Sequence, residues 1–272
     1  MALFRGHTMC RWVAYAGTQI YLEDLLFHQE HSIVKQSLAA TQSSWVTNGD
    51  GFGVAWYAQK RTPGLFKDIL PAWNDSNLRS LAAHIQTKLF FAHVRATTGT
   101  SISRNNCHPF VWENWTFMHN GKIGNWHKCR KDIEDLIDHA HYPHREGTTD
   151  SEALFLVALS KGLTSNPILA MNETLRDISR VMDKNKAVEP MRISCALTNG
   201  KEMWAFRYSS DDQSPSMYFG SPHTRSHELS TNPINTIASE PSDSQESHWF
   251  KVDERNGLHW TEQGLNNFRI NL

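Results

Sequence analysis

The cysteine at position 10 is placed where it could act as a nucleophile without a histidine partner. Cys10 follows Met9 and opens a short apolar run that ends at Gly17. A cysteine at the start of a chain carries a thiol and a free α-amine, whose reference pKa is roughly 7.7–8. At neutral pH a useful fraction of such an amine is uncharged. It can accept the thiol proton and later return it to the leaving group of a cleaved amide.

Residues 1–9 decide whether this chemistry is available, because a nitrogen in a peptide bond is not basic. Three explanations compete. The protein starts at Met9 and loses that methionine; or residues 1–9 are a propeptide; or the chain is never processed and Cys10 is a structural cysteine buried on a strand. We prefer the first and then the second. We expect the unprocessed chain to be blocked by residues in or over the cleft, and residues 10–272 to form a single domain.

Two downstream segments carry groups that an amide-cleaving nucleophile needs. In His119-Asn120-Gly121, the asparagine amide and the glycine N–H can converge on one oxygen, and glycine lets a substrate approach the backbone. The alternative is a β-hairpin, for which Asn-Gly is the strongest two-residue signal. Arg95 ends a predicted buried strand, and its planar guanidinium suits bidentate capture of a carboxylate. The alternative for Arg95 is an ion pair at the rim.

The segment Thr149-Asp150-Ser151-Glu152 precedes a helical pattern, so Asp150 or Thr149 is predicted to cap that helix. An aspartate in this position can also bind a substrate ammonium. His108-Pro109 is consistent with a rigid turn and Gly51-Phe52-Gly53 with a close backbone approach.

Closely spaced histidines raise the alternative of a metal site, since zinc pairs favour helical spacing. We favour solvated histidines instead and expect no metal and no cofactor. The histidines concerned are His28, His31, His139, His141 and His144.

The composition narrows the class of protein that must position these groups. The chain has 272 residues with 27 basic and 28 acidic side chains and a formal net charge of −1, so neither nucleic acid nor a membrane surface is an expected partner. The four cysteines lack C-x-x-C spacing, which argues against a zinc ribbon or a disulfide framework and favours the cytoplasm. No apolar run approaches the roughly 18–20 residues that span a bilayer.

The hydrophobic pattern predicts strands, then helices, then strands, which fits an α+β layered domain better than alternating βαβ units. The polar segment 239–247 is predicted to be a surface loop. Strands are predicted at residues 10–17, 52–56, 89–94, 115–118, 193–198, 204–208, 216–219 and 236–238, and helices at 22–26, 32–39, 78–86, 132–139, 151–163 and 172–182.

The order and mutual spacing of these segments resemble the class II glutamine amidotransferases, which are N-terminal-nucleophile hydrolases. The stand-alone γ-glutamyl amidohydrolase-like branch is the most similar. The resemblance implies a four-layer αββα sandwich, with two antiparallel sheets between helical layers. It is carried by Cys10, His93-x-Arg95-x-x-Thr98, His108-Pro109, His119-Asn120-Gly121 and Thr149-Asp150-Ser151-Glu152, with 51–57 and Ala238-Ser239-Glu240-Pro241 in support.

The resemblance also implies a role for each matching residue. Cys10 would be nucleophile and, through its amine, base. Asn120 and Gly121 would form the oxyanion hole. The substrate-binding residues would be Arg95 with Thr98 nearby for the α-carboxylate, Asp150 for the α-ammonium, and His119.

The implied reaction is hydrolysis of the γ-amide of glutamine or a γ-glutamyl compound through a thioester, which releases glutamate and ammonia or an amine. The sequence after Pro241 leaves no room for an acceptor domain, so we expect a free-standing amidohydrolase or a subunit that feeds a separate ammonia acceptor. The alternative is a non-catalytic γ-glutamyl-binding or regulatory subunit, if Cys10 never becomes N-terminal. A general peptide amidase is disfavoured, because Arg95 and Asp150 match both charges of a free amino acid.

Overall fold

Two antiparallel sheets dominate the structure, a computed structural model that describes residues 10–42, 49–96, 101–222 and 236–272. The strands in chain order are β1 (Arg11–Tyr21), β2 (Phe52–Tyr57), β3 (Gly64–Asp68), β4 (Gln86–Val94), β5 (Phe110–Trp112), β6 (Trp115–Lys122), β7 (Arg192–Thr198), β8 (Met203–Ser209), β9 (Tyr218–Gly220), β10 (Thr236–Ala238), β11 (Trp249–Lys251), β12 (Asn256–Thr261) and β13 (Gly264–Arg269).

The seven-stranded sheet has the order β11-β9-β10-β1-β4-β2-β3, and the six-stranded sheet the order β13-β12-β8-β7-β6-β5. Helices pack on the outer face of each sheet. They are α1 (Leu22–Leu26), α2 (Ile33–Gln42) and α3 (Ser76–His84) on the first sheet, and α4 (Trp126–Glu134), α5 (Asp150–Ser160) and α6 (Pro167–Lys184) on the second.

Side-chain alternation along the strands creates the four layers, because successive residues of a strand point to opposite faces. On β1, Val13 and Tyr15 pack with α1–α3, while Trp12 and Ala14 pack into the space between the sheets. On β7, Ile193, Cys195 and Leu197 face α4–α6, while Ala196 faces the first sheet. The predicted α+β sandwich of αββα type is therefore confirmed.

Helix α5 is apolar on almost every side, as expected of a helix buried in the core. Its residues from Ser151 to Leu159 are buried, and the rings of Phe155 and Phe117 stack with centroids 5.2 Å apart. Thr149 caps the helix by accepting a hydrogen bond from the Glu152 N–H at 3.2 Å, so Thr149 and not Asp150 is the N-cap residue.

The end of strand β10 holds the start of β1 in the centre of its sheet. The Trp12 N–H donates to Ser239 Oγ at 3.0 Å, and the Ser239 N–H donates to the Trp12 carbonyl at 3.0 Å. Ser239 and Ser242 are buried. The prediction of a surface loop over residues 239–247 was therefore wrong at these two positions.

The predicted helix at 132–139 is also displaced, because α4 begins at Trp126 and ends at Glu134. Ile133 and Ile137 keep helical spacing and are both buried, but the second packs from a turn. Gln86, predicted as the end of a helix, begins β4. Strands β3, β5, β11, β12 and β13 were not predicted, because they are short or lie near sheet edges with mixed burial.

Within the described ranges, the helices are too short or too polar to cross a bilayer.

Candidate active site

Cys10 lies just before β1 and beside the end of β4. The pairing of Arg11 with Val94 brings the Cys10 sulfur to Ala96, whose N–H points at Sγ over 3.4 Å and whose carbonyl is 3.5 Å from Sγ. Cys10 is half-buried. Residues 1–9 lie outside the described residues, so the blocked cleft remains a prediction.

The surroundings of Cys10 raise the pKa of its thiol. Burial raises the pKa of the Cys10 thiol, and this outweighs the opposing effects of the Ala96 N–H and of the Arg95 and Arg11 charges. A thiol with a raised pKa must lose its proton to a base before it can attack. Any reaction of the Cys10 thiol therefore needs a neighbouring proton acceptor.

Arg95 follows β4 and is buried, with 3% of its surface exposed. Its backbone is fixed by the turn of Asp50 and Gly51: the Arg95 N–H donates to the Gly51 carbonyl at 2.8 Å, and the Asp50 N–H donates to the Arg95 carbonyl at 3.2 Å. The guanidinium donates to the carbonyls of Ser101 at 3.2 Å and Asp50 at 3.5 Å. Arg95 is thus buried and held by backbone carbonyls, and it does not lie at an exposed rim. Thr98 lies outside the described residues.

His119-Asn120-Gly121 continues strand β6 and does not form the hairpin that Asn-Gly could also indicate. Asn120 is buried, and its side-chain amide donates to the Cys10 carbonyl at 2.8 Å. Gly121 has φ +148°, and a Cβ atom there would lie 1.9 Å from the Arg192 carbonyl oxygen. The backbone at Gly121 therefore requires glycine, and Gly121 lines the cavity.

Asp150 is the first residue of α5 and links that helix to the end of β6. One carboxylate oxygen accepts from the Ile123 N–H at 2.8 Å and the other from the Ser151 N–H at 2.8 Å. A carboxylate at a helix N-terminus is stabilised by the helix dipole. The Asp150 side chain is consequently well supported at the cavity wall.

His119 also lines the cavity, and both of its ring nitrogens have partners. Nδ1 is 2.8 Å from Ser151 Oγ, and Nε2 is 3.4 Å from the Arg192 carbonyl oxygen. Burial lowers the pKa of His119, with the Asp150 charge opposing the shift. These contacts fix the ring between β6 and α5.

A cavity of about 430 Å³ brings most of the predicted site residues together. It opens where the two sheets and the start of α5 meet. Asn120 is joined to this group by the hydrogen bond from its side chain to the Cys10 carbonyl. The cavity is lined by Cys10, Arg95, His108, His119, Gly121 and Asp150, and near its mouth by Lys122, Asn125, Trp126, His127 and Glu189.

A pair of buried histidines packs beneath the cavity. The rings of His93 and His108 lie 4.3 Å apart, and their nitrogens have no hydrogen-bond partner among the described residues. Burial lowers the pKa of His93 to about 3. Burial and the neighbouring His93 lower the pKa of His108 well below its usual value. The expected close approach at Gly53 is present: a Cβ atom there would lie 2.2 Å from the His108 carbonyl oxygen.

Sequence reasoning missed the supports of the loop before Asp150. Glu152 accepts from the Gly147 N–H at 2.8 Å and pairs with Arg145, and Asn106 accepts from the Thr148 N–H at 2.8 Å. Glu152 belongs to the recognised motif, whereas nothing in the sequence around Asn106 or Arg145 signals this role. These contacts fix the entry to α5 and therefore the position of Asp150.

Three of the histidines considered for a metal site, His28, His31 and His141, have other partners. His141 Nδ1 lies 2.7 Å from Asp138 Oδ1, and His28 lies near Glu23 and Asp24. In the part of the chain that the structure describes, no three His, Cys, Asp or Glu side chains are grouped to hold a metal. All four cysteines are free thiols.

Comparison with known proteins gives a consistent family assignment. Residues 27–232 match the family described as glutamine amidotransferases class-II. The probable glutamine amidotransferase DUG3 of Saccharomyces cerevisiae is 38% identical over 240 residues, which cover 78% of this chain and 67% of that protein. The gamma-glutamyl-hercynylcysteine sulfoxide hydrolase of Mycolicibacterium smegmatis is 26% identical over 202 residues, covering 72% and 78% of the two chains.

Solved structures agree with the sequence relatives. A glutamine aminotransferase class-II domain protein from Silicibacter pomeroyi has a TM-score of 0.75 and 34% identity, covering 97% of this chain and 100% of that one. Glutamine phosphoribosylpyrophosphate amidotransferase from B. subtilis has a TM-score of 0.62 and 14% identity over 97% and 49% of the two chains, and so supports the fold alone. On this matched sequence and this fold, the chain belongs to the class II glutamine amidotransferases, a family of enzymes.

Proposed function

We propose that this chain hydrolyses the γ-amide of glutamine or a γ-glutamyl compound through a thioester on Cys10. The observation that carries the proposal is one cavity lined by a thiol, a buried guanidinium and a supported carboxylate, from Cys10, Arg95 and Asp150. The names of the two relatives, an amidotransferase and a gamma-glutamyl hydrolase, support the same substrate class.

The two charged groups complement the head group of a free amino acid. Arg95 binds the α-carboxylate with its planar guanidinium, and Asp150 binds the α-ammonium. Asp150 is held by two N–H donors, and Arg95 by backbone carbonyls, so neither has to reorganise when substrate binds. Preorganised charges of this kind stabilise a bound ion more than mobile surface charges do. Thr98 and His119 complete the proposed head-group site.

The chemistry begins when the free α-amine of Cys10 accepts the thiol proton. The sulfur then attacks the γ-carbonyl carbon, and the oxygen gains negative charge beside the Gly121 N–H and the Asn120 amide. An amide nitrogen has two N–H donors, and one of those of Asn120 already holds the Cys10 carbonyl. The C–N bond breaks as the α-amine returns the proton to the leaving nitrogen, and water then releases glutamate from the thioester.

The domain and the setting of the enzyme are part of this proposal. Residues 10–272 act as one amidotransferase domain, since β1 and β9–β11 share one sheet although they come from opposite parts of the chain. Residues 1–9 precede the catalytic unit as an extension or propeptide. The enzyme works in the cytoplasm on a small molecule, either alone or with a separate ammonia acceptor.

The decisive experiment compares glutamate release by two forms of the protein. One form begins at Cys10, made by removing the initiator methionine from a Met-Cys start and verified by intact mass. The other keeps residues 1–9. We expect release from glutamine or a γ-glutamyl amide only in the first form, because only there is the Cys10 amine free.

Cys10→Ala in the processed form is the control and should abolish release while leaving the circular dichroism spectrum unchanged. Turnover that survives this change would remove Cys10 from the mechanism. Binding of glutamine without release by the processed wild type would favour the alternative, a γ-glutamyl-binding or regulatory subunit.

A further inference from the structure

An exposed ion pair stands at the mouth of the cavity, next to the proposed oxyanion site. Lys122 directly follows Gly121, and its Nζ lies 2.6 Å from Glu189 Oε2. The side chains of Lys122 and Glu189 are 49% and 47% exposed. The mechanism proposed above uses neither of these charges.

The cavity has more room than glutamine needs. Its volume of about 430 Å³ lies in the range of roughly 300–1,000 Å³ that holds drug-sized ligands, whereas glutamine is a small amino acid. The wall not assigned to the glutamyl head group is formed by Lys122, Asn125, Trp126, His127 and Glu189. This part of the cavity can accept a group attached to the amide nitrogen.

The leaving group must emerge close to Lys122. The leaving nitrogen and the oxyanion are bonded to the same carbon, and Gly121 lies beside that oxyanion in the proposed mechanism. A substituent on the leaving nitrogen therefore passes Lys122, the residue after Gly121 on β6. Alternate residues of a strand point to the same face. Lys122 therefore lies on the same face of β6 as Asn120, whose side chain bonds to the Cys10 carbonyl.

The two members of the ion pair are held unequally. Glu189 also accepts from Asn125 Nδ2 at 3.1 Å, and Asn125 Oδ1 accepts from the N–H groups of Val188 and Glu189 at 2.8 and 3.0 Å. Lys122 lowers the pKa of Glu189, which keeps it ionised. The lysine has a flexible stem and an ammonium with several donors. An exposed ion pair contributes about 0–1 kcal/mol, so a second carboxylate can share or replace Glu189 on Lys122 at little cost.

We propose that Lys122 is a specificity residue that binds a carboxylate carried by the leaving amine, and that Glu189 restrains this binding. The preferred substrates are then γ-glutamyl amides of amino acids, rather than γ-glutamyl amides of uncharged amines. This inference rests on the proposed hydrolysis of γ-glutamyl amides and adds the recognition of the leaving group.

The test uses two substrates that differ mainly in one carboxylate, γ-glutamylglycine and γ-glutamylethylamide, with the processed protein. Lys122→Met should lower kcat/KM for γ-glutamylglycine about three- to fivefold, near the upper end of what an exposed ion pair contributes. The value for γ-glutamylethylamide should stay within about twofold. Lys131→Met is the matched control: this lysine is also exposed and paired, with Asp135 on α4, and its loss should change neither value.

A second variant is expected to raise kcat/KM for γ-glutamylglycine instead of lowering it. Glu189→Gln removes the competing carboxylate and keeps the side-chain shape, so it should raise kcat/KM for γ-glutamylglycine two- to fivefold, in line with an exposed pair of about 0–1 kcal/mol, and leave γ-glutamylethylamide unchanged. An unaltered ratio of the two substrates in Lys122→Met, or an equal loss on both, would overturn the subsite while the hydrolase assignment stands. If the wild type releases glutamate from glutamine but cleaves neither amide, this inference is overturned and the proposed function stands. If it releases glutamate from none of the three compounds, the proposed function is overturned and this inference with it.

Discussion

The two ends of the β-sandwich both contain a cavity, and the larger cavity lacks the organised chemistry. At the site end, where β1 starts and β4 and β6 end, the cavity measures about 430 Å³. At the far end, formed by residues 17–19, 88–89, 200–202 and 260–263, a cavity of about 840 Å³ opens between the sheets. Volume alone would select the far end, and not the cavity to which we assign the proposed function.

The difference lies in how the charged groups are held. Arg95 at the site end is buried and bonded to backbone carbonyls, and Asp150 accepts two backbone N–H groups. Lys88 and Lys201 at the far end are exposed. Charges away from water interact several times more strongly than charges in it. A catalytic site is therefore better identified by buried, preorganised charge than by size.

Among substitutions at positions other than Cys10, the largest effect is expected for Asn120→Ala. It should lower kcat by on the order of 10²–10³, because it removes the proposed oxyanion donor and the bond to the Cys10 carbonyl. The matched control is Asn114→Ala at the far end, where the side-chain amide donates to the Asn199 carbonyl at 2.8 Å. That change should affect stability alone. A normal kcat in Asn120→Ala would assign Asn120 a purely structural role.

Arg95→Lys is expected to act mainly through substrate capture. A lysine cannot reproduce the planar fork of the guanidinium, so KM should rise roughly 10–100-fold, the value of one charge-assisted hydrogen bond. Arg207→Lys provides the comparison, since Arg207 is also buried and held by the carbonyls of Pro215 and Ser214 but lies away from the cavity. It should lower the melting temperature and leave KM unchanged. Equal KM values for the two variants would contradict the role of Arg95.

Acid should destabilise the site end through its buried histidines. The pKa of His93 is lowered to about 3 in the fold, against roughly 6.5 in an unfolded chain. Between these values the unfolded chain binds more protons, so the free energy of unfolding falls as pH falls from about 6.5 to 3, by about 1.4 kcal/mol per pH unit for this group. The free energy of unfolding is measured by urea titration at several pH values. His93→Gln should reduce its slope against pH by the equivalent of about one proton, whereas His84→Gln at an exposed position should leave the slope unchanged. The same slope in both variants would refute the assignment.

The smallest effect is expected at the far end itself. Lys88→Met combined with Lys201→Met should leave kcat/KM within about twofold, as for surface changes of about 0.5 kcal/mol. A tenfold loss in this double variant would break the comparison and give the larger cavity a part in activity.

The sequence predicted the chemical groups of the site better than the contacts that hold them in place. Cys10, Arg95, Gly121 and Asp150 were predicted because residue type and order carry chemical information, and they line one cavity. The main strands were predicted because apolar alternation reflects burial. The bond from Asn120 to Cys10 joins residues 110 positions apart, and no local pattern encodes such a contact.

The supports of the loop before α5 were unpredictable for the same reason. Asn106 holds Thr148 from 42 positions away, and Arg145 pairs with Glu152 within a polar stretch that has no periodic pattern. Short strands such as β12 and β13 alternate too weakly between buried and exposed positions to be recognised. Tertiary contacts decide these features, and they become visible only once the chain is folded.

The two hydrogen bonds between Trp12 and Ser239 can form only late in the synthesis of the protein. These residues are separated by 227 positions, and a ribosome adding about 5–20 residues per second needs roughly 10–45 s to make the segment between them. During that time the strand that leads from Cys10 is without its partner β10. Translation must therefore reach Ser239 before the strand that leads from Cys10 gains this support.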